Sequence, residues 1–192
     1  MTPLSISMLT ICGISELPDD GPRSATHVLS ILDPEHPDPD AFQAYESHHR
    51  TVLRFHDIIE PRPGMILPEP QHVEAVLEFG EKLAENRPAR AEGHLLVHCH
   101  MGISRSTAAM VTLLAQTYPQ EGEDRLMERL VAIRPQAWPN SLMIRFADDL
   151  LSRRGRLTEA LRHHYARQIE RDPRMSQWMR EIGRGREVDM AA

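Results

Sequence analysis

Residues 97–107 read Val97-His98-Cys99-His100-Met101-Gly102-Ile103-Ser104-Arg105-Ser106-Thr107, and the organisation of the chain can be worked out from this stretch. Upstream, His94 to Cys99 has the composition of a short buried strand. Downstream, Arg105 to Tyr118 carries Ala108, Ala109, Val111, Leu113 and Leu114 at the density of a buried helix. The residues from His100 to Ser104 therefore join a strand end to a helix start. Gly102 permits a backbone conformation closed to other residues. A turn of this length can curl its amides inward into an anion-binding nest at the positive end of the helix. Arg105, in the first helical turn, offers a planar fork that matches two oxygens of a tetrahedral oxyanion. Cys99 lies on the floor of that cup, where amides, helix end and guanidinium all favour a thiolate. The plain alternative is a buried core thiol, against which stand a glycine, an arginine and a hydroxyl residue in register.

The flanking sequence alternates strand and helix patterns. Leu4 to Ile11, Thr26 to Leu32 and Thr51 to Ile58 read as strands, with turn residues from Pro18 to Pro22 and a proline-rich loop from Asp33 to Asp40 between them. Helical periodicity begins near Gln71, with Val73, Val76, Leu77, Phe79 and Leu83 on one face. Further helices are expected over Gly122 to Ile133 and Ser141 to Arg153. A last amphipathic segment spaces Leu157, Leu161, Tyr165 and Ile169 four apart. The expectation is an α/β fold: a central mixed, largely parallel sheet of four to five strands with helices on both faces. Residues 1–154 are expected to form the catalytic domain. Residues 155–192 are expected to form an Arg-rich helical extension packed on that domain or on a partner, with Trp178 and Met179 packing alike.

HCHMGISRS resembles the signature loop of the cysteine-dependent protein tyrosine phosphatases, and is most similar to the dual-specificity branch, whose usual form is V-H-C-x-x-G-x-S-R-S. THVLSIL (26–32), LRFHDI (53–58), HVEAVLEFGEKL (72–83) and IRPQAWPNSLMIRFADDLL (133–151) resemble, less specifically, other core segments of that branch. The resemblance implies a phosphomonoester hydrolase with a phosphocysteine intermediate and no cofactor or metal. Cys99 would be the nucleophile, Arg105 the phosphate clamp and Ser106 the donor to the departing sulfur. His98 would orient the loop from beneath. His100, Met101, Gly102, Ile103 and Ser104 would line the phosphate site together with Arg105. Asp57 is the chosen general acid, on a proline-rich flap carrying Pro61, Pro63, Gly64 and Pro68; Glu60 and Asp33 are the alternatives. The gap from Asp57 to Cys99 is longer than the branch usually shows. Without a lysine in the loop, a phosphotyrosine or other aryl phosphate fits better than a phosphoinositide, with phosphoserine and phosphothreonine open. Three other readings stand beside it: a catalytically silent phosphate-binding module, a rhodanese- or arsenate-reductase-like cysteine enzyme, and a structural or interaction protein whose active surface is the arginine-rich tail.

Composition agrees with a globular chain. Of 192 residues 41% are hydrophobic and 26% charged, and no apolar run approaches the roughly 20 residues of a membrane span. The N-terminus lacks the positive region of a signal peptide. Two cysteines, Cys12 and Cys99, make no disulfide framework, so a cytoplasmic location is expected, with Cys12 in the core. His94, His98, Cys99 and His100 are close enough to suggest a metal, but strand partners account for them better. The net charge of −6 argues against a nucleic-acid binder. Between Arg153 and Arg186, ten arginines face four acids, a segment read as a solvated helical face or a homodimer contact. Lys82 is the only lysine, a bias that suggests a GC-rich, bacterial genome.

Overall fold

The structure, a computed structural model, describes residues 6–17, 25–45, 47–85 and 93–191. Four strands, β1 (Ile6–Cys12), β2 (His27–Leu32), β3 (His49–Arg54) and β4 (Gly93–His98), lie in the order β1-β4-β2-β3. All three pairings are parallel, with Cys12 opposite His98, Ser30 opposite His98 and Leu32 opposite Arg54. Strands this apolar and β-branched are the kind a parallel sheet buries on both faces. The part of the first expected strand at Leu4 and Ser5, and the turn at Pro18 to Pro22, lie outside the described residues.

The alternation of side chains along each strand divides the core in two. Leu29, Ile31, Leu95 and Val97 face the main cluster, whereas Val28 and Leu96 face a smaller one with Cys12, Leu17, Ala25 and Phe42. Helices α1 (Pro70–Glu85) and α2 (Arg105–Thr117) pack over the first face, joined by α3 (Glu123–Ile133) and α4 (Ser141–Leu150). Two short 3-10 helices, Ile14–Glu16 and Asp40–Ala44, cover the second. Outermost come α5 (Arg156–Arg171), against α3 and α4, then α6 (Arg174–Glu181) and α7 (Gly185–Met190). No helix among the described residues is long and apolar enough to cross a membrane.

Two expected boundaries move. The third strand stops at Arg54, not at Ile58. The Phe55 amide makes one more bond to Leu32 O at 3.0 Å. Phe55 then turns into the core, and His56 is held by Ile66 through reciprocal bonds, its amide to Ile66 O at 2.9 Å and the Ile66 amide to its Nδ1 at 2.8 Å. Asp57 is thereby freed from the sheet and placed in a loop. Helix α4 stops at Leu150 rather than Arg153 because Asp148 draws the next helix in. Its carboxylate accepts from Gly155 N (2.6 Å) and Thr158 N (2.9 Å), capping α5, and the connection passes through Ser152, Arg154 and Gly155 at positive φ.

The arginine-rich segment is also less solvated than its composition suggests. Arg153 is buried, donating to Ala115 O (2.6 Å) and Glu123 Oε1 (3.1 Å). Leu157, Ala160, Leu161 and Tyr165 of α5 belong to the main core cluster. Leu161→Ala should therefore lower global stability by about 2–5 kcal/mol, read as a shifted urea midpoint with one cooperative transition. A separate early transition, or an unchanged midpoint, would mean that α5 is an appendage.

Candidate active site

The turn from His100 to Ser104 is held by its carbonyls. His100 O accepts from Ile14 N (2.9 Å), Met101 O and Gly102 O from the Arg134 guanidinium (3.2 and 2.9 Å), Ile103 O from Trp138 N (2.8 Å), and Ser104 O from Ala108 N (2.9 Å). The opposite edge of the same peptides is left open. Among the described residues, none accepts from the main-chain N–H of Met101, Gly102, Ile103, Ser104 or Arg105. Amides seldom go unpaired in a folded chain, and a run of five without acceptors can receive an oxyanion. Gly102 makes the turn possible: φ is +67°, and an added Cβ would lie 2.4 Å from Cys12 C and 2.6 Å from Gly13 N. Gly13 allows the same close approach from below, where a Cβ would meet His100 O at 2.8 Å.

Cys99, 2% exposed, sits at the base with its Sγ 3.2 Å from Ser106 Oγ. Arg105, also 2% exposed, is anchored through NH1 alone, to Asp33 Oδ1 at 2.6 Å and Phe55 O at 2.5 Å. Its Nε is buried without a protein partner. The anchored corner fixes the guanidinium plane and leaves the Nε edge for two oxygens of an anion.

The three candidate acids separate. Asp33 is the Arg105 partner, with its Oδ2 3.7 Å from His100 Nδ1. Glu60 pairs with Arg186 at 2.5 Å. Asp57 reaches the signature turn itself: its Oδ1 accepts from Ser104 Oγ (2.7 Å), Asn140 Nδ2 (3.0 Å) and Arg184 NH1 (2.9 Å). Oδ2 has no such partner among the described residues. Burial pushes the Asp57 carboxyl up. The Arg184 and Arg105 guanidiniums and the bonds from Asn140 and Ser104 outweigh that and hold it below the usual carboxylate value.

The neighbouring histidines have separate partners. His94 bonds Thr10 Oγ1 (2.8 Å), while His98 bonds Ser30 Oγ (2.7 Å), which also accepts from Arg50 Nε (2.9 Å). His100 Nε2 accepts from Asp33 N (3.2 Å), and its ring meets His36 edge-on at 4.6 Å. Burial lowers the pKa of His100, which makes it a poor rim cation. No group of three or more His, Cys, Asp or Glu among the described residues is placed to hold a metal ion. Met101 is 58% exposed at the outer lip, and Ile103 and Ser104 line the inner side toward α2. Burial pushes the Cys12 thiol up to about 12, so it stays protonated in the core.

Sequence reasoning missed three contributors. Asn140 caps α4 through Oδ1 to Leu142 N and Met143 N while giving its amide to Asp57. Its position before a helical run was the available signal. Arg184 and Glu187 are buried, and Glu187 also accepts from Trp138 Nε1 (2.7 Å) and Ser141 N (2.8 Å). Their spacing of three was their only mark, and it does not tell a buried pair from a surface one.

No protein-family model and no curated protein sequence matches the chain. Solved structures do match. Human DUSP28 superimposes with a TM-score of 0.55 at 15% identity, covering 79% of this chain and 99% of that one. Tk-PTP in its active form gives 0.54 at 21% identity over 80% and 99%. A human tyrosine phosphatase-like serine/threonine/tyrosine-interacting protein gives 0.54 at 20% identity over 78% and 95%. The fold is that of the tyrosine and dual-specificity phosphatases. At these identities the likeness is one of architecture, and a phosphatase-like fold is what the chain shares with all three.

The buried histidines set an acid limit on stability. Burial pushes His98 down to about 3, with the Arg50 charge adding to it, and pushes His164 of α5, bonded to Ala137 O, down to about 4. Each is neutral in the fold but titrates near 6.5 when unfolded, so its contribution is complete above that pH and is lost as pH falls toward the folded value. Each should cost about 1.4 kcal/mol per pH unit inside that window. The melting temperature should drop steadily from pH 7 to pH 4.5; a flat profile would contradict neutral burial.

Proposed function

We propose that the chain is a phosphomonoester hydrolase working through a phosphocysteine on Cys99. The substrate class is a protein phosphotyrosine or another aryl phosphate, with phosphoserine and phosphothreonine within reach of a shallow pocket. The observation that supports this reading is the bonding of the turn next to Cys99: its carbonyls are taken by donors, its five amides have no acceptor among the described residues, and the Nε of Arg105 is buried and free. A phosphoryl group needs that combination, equatorial donors fixed in advance around a nucleophile.

The Cys99 thiolate attacks phosphorus, an S–P bond forms, the bond to the leaving oxygen breaks, and Asp57 gives that oxygen a proton from Oδ2. Water then attacks phosphorus and passes its proton to Asp57. The S–P pair returns to Cys99, where the Ser106 hydroxyl, 3.2 Å away, donates to the sulfur. Arg105 and the amides hold the equatorial oxygens in both steps, and His98 orients the loop from the strand beneath.

One observation favours a second reading. Asp57 is paired with Arg184 and held ionised, whereas the first step uses its protonated form, so a phosphate-binding module without turnover is the rival. On the hydrolase reading the low acid pKa instead places the activity optimum on the acid side of neutrality.

Acid-quenched enzyme incubated with labelled aryl phosphate should carry phosphate on Cys99. Cys99→Ser should lose turnover of para-nitrophenyl phosphate and retain phosphate binding by calorimetry. Binding without turnover in the wild type at any pH from 4 to 8 would establish the silent module. Asp57→Asn should lower kcat by about a hundredfold for phenyl phosphate, within the usual range for a general acid, and by less for para-nitrophenyl phosphate. An equal effect on both would move the acid elsewhere.

A further inference from the structure

The acid-bearing loop is gripped by a part of the chain far from it in sequence. Arg184, at the N-cap of α7 and 2% exposed, gives NH1 to both Asp57 Oδ1 (2.9 Å) and Ser104 Oγ (3.0 Å), and NH2 to Glu187 Oε1 (2.7 Å). Glu187, wholly buried, is held by Trp138 Nε1 and Ser141 N. Two outer contacts repeat the grip along the same loop. Arg186 pairs with Glu60 at 2.5 Å, and Arg62 donates to Ile182 O (3.4 Å) and Gly183 O (3.3 Å). The residues from Asp57 to Arg62 are thus met at three points by the segment from Ile182 to Arg186.

We propose that Arg184 is a positioning residue for proton transfer: through it the C-terminal arm holds Asp57 by one oxygen and leaves the other to carry the proton. This inference rests on the hydrolase reading above and deepens it. With Ser104, Asn140 and Arg184 all donating to Oδ1, a proton has room only on Oδ2, which fixes the oxygen that faces a leaving group. Arg184 spends both terminal nitrogens on Asp57, Ser104 and Glu187, and its Nε is buried without a partner among the described residues. The groups around Asp57 are few. Arg105 comes from the start of α2, Ser104 from the signature turn, Asn140 from the start of α4 and Arg184 from the arm. Glu187 stands behind Arg184, with Tyr165 of α5 and His100 acting at longer range. Among the described residues the permanent positive charges acting on Asp57 are those of Arg105 and Arg184, and Arg105 is already shared with Asp33. Arg184 is therefore the charge that sets how readily Asp57 holds its proton.

The test compares full-length wild type, Arg184→Gln, Arg184→Lys and the charge-balanced double variant Arg184→Met/Glu187→Gln. The double variant removes both buried ions together and so avoids leaving Glu187 unpaired. The readouts are the pH profile of kcat/KM and the ratio of kcat for phenyl phosphate to that for para-nitrophenyl phosphate. In Arg184→Gln and in the double variant, the alkaline limb should move up by about one pH unit, the low end for losing an opposite charge beside a carboxylate. The phenyl phosphate ratio should fall by about tenfold, since a mis-set acid penalises poor leaving groups. Arg184→Lys should restore the limb and part of the ratio. A folded variant of either kind with the wild-type limb and ratio overturns the proposal while leaving the hydrolase reading intact. A wild type that binds phosphate and never turns over overturns both.

Discussion

The arrangement depends on one constraint: five consecutive peptides between β4 and α2 have every oxygen taken by a donor while their N–H groups have no acceptor among the described residues. A peptide loop does not do this unaided, because each carbonyl also needs a donor. Here the donors come from four places. Ile14 follows β1, Arg134 ends α3, Trp138 lies in the segment before α4, and Ala108 lies in α2 itself. The two glycines at the closest approach, Gly13 and Gly102, let the loop rest on the end of β1 without an intervening side chain. Arg134 has a second task, since its guanidinium also bonds Glu16, whose carboxylate accepts from Gly13 N at 2.6 Å. The support beneath the cup is therefore a closed circuit running from Gly13 through Glu16 and Arg134 to Gly102.

A second circuit runs beside it and is ionic: Asp57, Arg184 and Glu187, with Ser104 and Asn140 donating to Asp57 and Trp138 and Ser141 donating to Glu187, while Arg184 Nε stays buried without a partner among the described residues. Buried ions are poor sources of stability, because desolvation offsets most of the attraction. An apolar triad of the same volume would pack as well. What the ions provide is geometry, since each has partners in fixed directions and a shift of one disturbs all. That is how a residue 127 positions downstream comes to bear on the loop after β3.

The amino-acid pattern shows some of this and conceals the rest, for definite reasons. Four strands and the helix after Cys99 are legible because they are buried runs with strong periodicity. The cup is legible because glycine, arginine and hydroxyl residues at set offsets have few other uses. Strand β3 is overextended by sequence reading because Phe55 and Ile58 are as apolar as a strand; what ends it is the return contact of Ile66 on His56, a long-range event. The end of α4 is hidden for a like reason, since the carboxylate of Asp148 caps the next helix. The sequence reading takes Asp57 over Asp33 and Glu60; what it could not show is their partners, since Asp33 holds Arg105, Glu60 holds Arg186 and Asp57 reaches Ser104, Asn140 and Arg184. Arg184 was illegible because an arginine-rich stretch resembles a solvated face, and nothing local distinguishes a buried guanidinium within it.

The sheet order explains why so many separate segments meet at one point. In a parallel sheet every strand delivers its following loop to the same edge, and sites form where the connections diverge to either side. In the order β1-β4-β2-β3, strand β4 lies between β1 and β2, so the loop after β4 is flanked by the loops that follow its neighbours. The loop after β1 supplies Gly13 and Ile14 as the base, that after β2 supplies Asp33 to fix the Arg105 plane, and that after β3 supplies Asp57. Each contribution is different in kind: space for the turn, a fixed plane for Arg105 and a carboxylate bonded to Ser104. The loop after β3 is held in addition from outside the sheet, because the C-terminal arm meets it at residues 57, 60 and 62.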